Sequence, residues 1–161
     1  MPAMGAFKMI GVTFASDARP AYPRLRDQWS HLAQASEQFL ADRRAKDPAA
    51  ITKGVMKPDE ARQRERVMAA VVAIWRDVET LSELEKPSEW PHLYGASLPE
   101  IQVDLRGVAK ATAAVGRDRT MIECAAALAW QFEPVAPGSL PHIWIAADHV
   151  LYLARTDREA A

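Results

Sequence analysis

A chain of 161 residues with 49% hydrophobic and 25% charged side chains is long enough to bury one substantial core and too apolar to stay unfolded. Its formal net charge of −1 excludes a surface tuned as a whole for nucleic acid or membrane, and its single cysteine, Cys124, excludes an internal disulfide and fits a reducing compartment. Charge is mildly uneven, with 13 Lys/Arg against 10 Asp/Glu in residues 1–80 and 7 against 11 in residues 81–161, an asymmetry too small to name a partner.

Residues 1–22 alternate Ile10, Val12 and Phe14 with Gly11 and Thr13, a pattern for a short strand or an extended arm. A first helix is expected over 23–44. Pro23 suits its first turn, and Leu25, Trp29, Leu32, Ser36 and Phe39 fall on one stripe. Residues 45–57 contain Pro48 and Gly54 and read as a connector, with at most one helical turn at 49–52. The second helix, 58–85, opens on Pro58-Asp59-Glu60, whose acids complement the positive end of the helix dipole, and is stopped by Pro87. Val67, Val71, Ile74, Val78 and Leu81 form its buried stripe.

Ser97-x-x-Glu100 is a capping box for a third helix, 98–115, which Gly116 should end. Thr120-x-x-Glu123 offers a second box for a helix over 120–133, and Ser139-Leu140-Pro141 starts a last helix over 140–156. Ser139-Leu140-Pro141-His142-Ile143 echoes Ser97-Leu98-Pro99-Glu100-Ile101, which we read as one way of starting a helix used twice. The last helix is apolar nearly all round. Such helices are normally covered on several sides, so the hairpin over 121–154 is expected at the centre. The fold expected is all-α: one domain over 1–161, a bundle of about five helices with a short extended N-terminal arm.

The chemistry-bearing residues are sparse. His142 and His149 lie two turns apart, about 10.5 Å, too far to share one metal ion. Glu89-x-x-His92 copies a di-metal spacing but has Pro91 inside it, and no H-x-x-x-H or C-x-x-C occurs. The phosphate-cradling glycine motifs and the serine-nucleophile elbow are absent too, so neither a metal nor a cofactor is expected. Cys124, among Ala125, Ala126 and Ala127, reads as a small buried hydrophobe.

Three functional expectations follow. The first is a non-enzymatic interaction or regulatory module that binds a protein partner through aromatic loops carrying Trp90, His92, Tyr94, Trp130 and Phe132. The second is a small-ligand-binding protein or enzyme with an inter-helix pocket built from Glu123, His142, Asp148, His149 and Tyr152, with His92 beside them. The third and weakest is nucleic-acid binding through a basic corner over 43–66, with Arg62, Arg64 and Arg66 foremost; its interleaved acids favour a solvated face instead. An all-round apolar helix in so small a domain also predicts a homo-oligomer, a dimer. No apolar run is long enough to span a membrane, and the location expected is cytoplasmic. The Ala- and Arg-leaning composition is associated with bacterial sources.

Overall fold

The computed structural model of the chain describes residues 23–160, and all its regular elements are helices. The short strand or extended arm expected over residues 1–22 lies outside the described residues. In order, the helices are α1 (Trp29–Thr52), α2 (Pro58–Glu79), a short α3 (Trp90–Leu93), α4 (Leu98–Val115), α5 (Arg119–Gln131) and α6 (His142–Ala160), with one turn of 3-10 helix at Pro87–Glu89 before α3. α1 packs on α2, α2 on α4, α4 on α5 and α5 back on α1, which closes a four-helix ring. α6 lies outside this ring, against α5.

Three boundaries match the local chemistry that predicted them. Both halves of the Ser97 capping box form, with the Glu100 backbone N–H donating to Ser97 Oγ and the Ser97 N–H donating to Glu100 Oε1. α4 then ends at Gly116, which takes a φ of +70° that costs glycine nothing. Pro58 opens α2 with Asp59 and Glu60 in the first turn.

Other boundaries move, each for a physical reason. Pro23 lies in a turn ahead of α1, closed by the Arg26 N–H on Pro23 O, and the helix starts at Trp29. At its other end α1 runs through the expected connector to Thr52, with Pro48 inside it. A proline there removes a backbone hydrogen bond and costs about 3 kcal/mol. Ion pairs from Arg43 and Asp47 to α4 and α2 hold that part of the helix in place. α2 stops at Glu79, earlier than expected, because Leu81 turns left-handed at a φ of +57°. The N–H groups of Leu81 and Ser82 then donate to Val78 O and Asp77 O, the paired bonds of a Schellman cap made without glycine. The cap of α5 is Asp118, whose Oδ1 accepts from the Met121 N–H. The expected Thr120 box does not form there, and Glu123 instead pairs with Arg24.

The C-terminal hairpin is not the centre of the bundle. α2 is, with eight buried residues from Val67 to Val78. α5 contributes Cys124, Ala125, Ala127, Leu128 and Gln131 to the core, but α6 buries Ile143 alone. An apolar pattern around a helix shows that it wants cover; it does not show that its own chain supplies it. The second Ser-Leu-Pro segment also behaves differently from the first. Ser139 Oγ accepts from the Ala136 N–H inside the preceding loop and does not cap α6.

Candidate interaction groove

Two adjoining cavities of about 440 and 470 Å3 run along one side of α4 and share Arg64, Val103 and Asp104. Their α4 wall extends from Pro99 to Thr112, a rise of about 20 Å at the standard helical step. The facing wall comes from Phe39, Lys46 and Asp47 of α1 and from Glu60, Arg64 and Val67 of α2. Together they form an open groove. Its α4 surface repeats every fourth residue, Val103, Gly107, Ala111, and the same spacing continues to Val115, which lies past the groove. That spacing keeps the four residues on neighbouring turns of one face. Val103 and Val115 are 68% and 66% exposed, so the described residues leave this apolar stripe uncovered.

Gly107 is the low point of the stripe. A Cβ built there would meet nothing within 4 Å, so packing within the fold does not require glycine. In a helix interior glycine costs about 1 kcal/mol relative to alanine. What it permits is close approach of another body to the α4 backbone.

The floor of the groove is charged and paired. Arg43, on α1, donates two hydrogen bonds to the Asp104 carboxylate, at 2.9 and 2.7 Å, and a third to Arg64 O at 2.7 Å. The side chains of Arg43 and Asp104 are only 8% and 12% exposed, so removing either would strand the other largely out of water without its partner. Beside them Asp47 accepts from Arg64 Nε at 3.2 Å. Arg43, Asp47, Asp104 and Gly107 were not singled out from sequence. Arg43 and Asp104 stand 61 residues apart, and no local pattern links them. The mid-helix glycine was the one available signal.

The chain matches no known protein family, no curated protein and no solved structure at a significant level. What it does must therefore be argued from its own surface.

The basic corner is occupied by its own acids. Arg62 pairs with Asp59, Arg64 with Asp47, and Arg66 with Glu100 and with Gly95 O. Arg66 and the backbone N–H of Ser97 hold the Glu100 carboxyl at about 2, well below the usual carboxylate range. Arg44 pairs with Glu65. These guanidinium groups already have carboxylate partners, and a phosphate backbone would have to compete for them.

The expected aromatic surface is largely interior. Trp90 and Phe132 are fully buried, edge to face at 6.0 Å, and Trp90 Nε1 donates to Glu85 O. Tyr94 packs edge-on against Trp90 and donates to Asp77 Oδ2 at 2.5 Å. Burial, then that hydrogen bond, push its phenol upward from the ordinary value. Trp130 stacks on His142 at 3.7 Å, and His92 is exposed. These aromatics seal one end of the core, because a helical bundle must close its ends with something large. The exposed members are His92 and its neighbour Leu93.

The pocket candidates are spread over α5 and α6. Glu123 is tied to Arg24 by two hydrogen bonds, which hold its carboxyl below its ordinary value. His142 Nδ1 lies 3.0 Å from Trp130 O at the start of α6, while Asp148, His149 and Tyr152 are exposed farther along that helix. Cys124 is buried, and that burial raises its thiol above the ordinary value, with Asp118 and Glu123 adding to it. Among the described residues no cluster of three His, Cys, Asp or Glu could hold a metal ion, and no helix is long and apolar enough to cross a membrane.

Proposed function

We propose that this protein is a non-enzymatic helical interaction module, which takes a helix of a protein partner into the groove along α4 and works as a homodimer. The observation that carries the reading is the uncovered stripe Val103-Gly107-Ala111, with glycine where nothing in the fold asks for it. An amphipathic helix of about 13 residues spans such a groove, with its apolar face on the stripe. Glu60 and Lys46, which line the two cavities, make no ion pair within the described fold.

The test is a selection from a displayed library of helix-forming peptides of about that length, followed by binding to the Gly107→Trp variant. The indole points into open space, so the fold should be kept, and binding of the selected helices should fall at least about tenfold. Helices that bind both forms equally would contradict the assignment of the groove.

Self-association belongs to the same reading and is supported by α6, whose outer apolar residues the fold leaves exposed. A reducing, cytoplasmic setting is supported by the lone buried cysteine. A second reading, a small-ligand pocket in the same groove, is favoured by a cavity of about 440 Å3 over a charged floor. Mass retained in the native mass spectrum of the purified protein and lost on denaturation would favour it over the partner helix.

A further inference from the structure

The outer face of α6 carries Ile145, Tyr152 and Leu153 at 41%, 63% and 47% exposure. Ile143 is buried and Trp144 Nε1 donates to Leu84 O, so the helix is pinned at its first turn. From Arg155 to Ala160 every residue is exposed, and a short helical segment without tertiary cover is marginal in water. Two charges flank the apolar face. Asp148 and Arg155 are seven residues, or two turns, apart and so share one flank, and neither has an ion-pair or hydrogen-bond partner within the described fold.

We propose that α6 pairs antiparallel with α6 of a second copy, about a two-fold axis beside Tyr152, so that Asp148 of each chain meets Arg155 of the other. This rests on the self-association reading above and names its surface and register. A two-fold between antiparallel helices sets each flank against the same flank of the other copy. A flank acidic at one end and basic at the other is then its own complement. A parallel pair would set that flank against the one carrying Leu153, and both charges would go unpaired. In the antiparallel register the two Tyr152 rings adjoin at the axis, and the two Leu153 side chains close the opposite flank.

The experiment uses the full chain and two single variants, Asp148→Arg and Arg155→Asp, alone and mixed. Each variant alone faces like charge twice across the axis, and its dimer should weaken about tenfold or more. In the mixture one chain carries two arginines and the other two aspartates. A heterodimer, distinguished by mass in a native spectrum, should then form preferentially and regain the wild-type affinity. A mixture no tighter than its components would overturn the register, as would single variants that dimerise like the wild type, although self-association would survive either result. A wild-type chain that stays monomeric up to about 100 µM would overturn self-association itself. Tyr152→Cys gives a second readout independent of charge. On air oxidation it should link into a covalent dimer, and a chain that stays single would overturn the geometry.

Discussion

Arg43 is the residue on which three helices depend. From α1 it reaches the Asp104 carboxylate on α4 and the Arg64 carbonyl on α2, almost entirely out of water. Removing it would deprive the Asp104 carboxylate, 12% exposed in the intact pair, of its guanidinium. Arg43→Ala should therefore lower the unfolding free energy by about 3 kcal/mol or more, read from urea titration. Replacing both partners by apolar residues, Arg43→Met with Asp104→Leu, should cost less than the single change, because no charge is then stranded. A single variant within about 0.5 kcal/mol of wild type would show that the pair is spectator to the fold. None of this was legible in the sequence. There Arg43 belonged to a basic run, and a pairing across 61 residues leaves no local trace.

At the scale of the element, legibility followed how local the determinants were. α4 was readable to the residue, because Ser97, Glu100 and Gly116 fix both its ends through contacts within a turn. α1 was not, since its last turns persist through Pro48 under ion pairs from other helices. Leu81 hid the end of α2 by turning left-handed where a glycine would have announced it. Within α4, Gly107 gives a direct prediction. Gly107→Ala should raise stability by about 1 kcal/mol, since helix propensity improves and the new methyl meets open space. A thermal midpoint that fell instead would mean that the fold needs the glycine, and the groove would lose its main argument.

At the scale of the whole molecule, the described residues leave the α4 stripe and the outer side of α6 uncovered. The sequence showed that α6 wanted cover, and the structure shows that α5 supplies only one side of it. Of the residues expected to line a pocket, His149, Asp148 and Tyr152 ride exposed on that outlying helix, and Glu123 is paired with Arg24. The proposed function requires such faces to meet other helices, and for α6 the proposed partner is a second copy of the chain. Sedimentation equilibrium of the wild-type protein, from about 1 to 100 µM, tests this most directly. It predicts a mass rising with concentration from the 17.8 kDa of one chain toward that of two. A mass that stays at one chain throughout would contradict it.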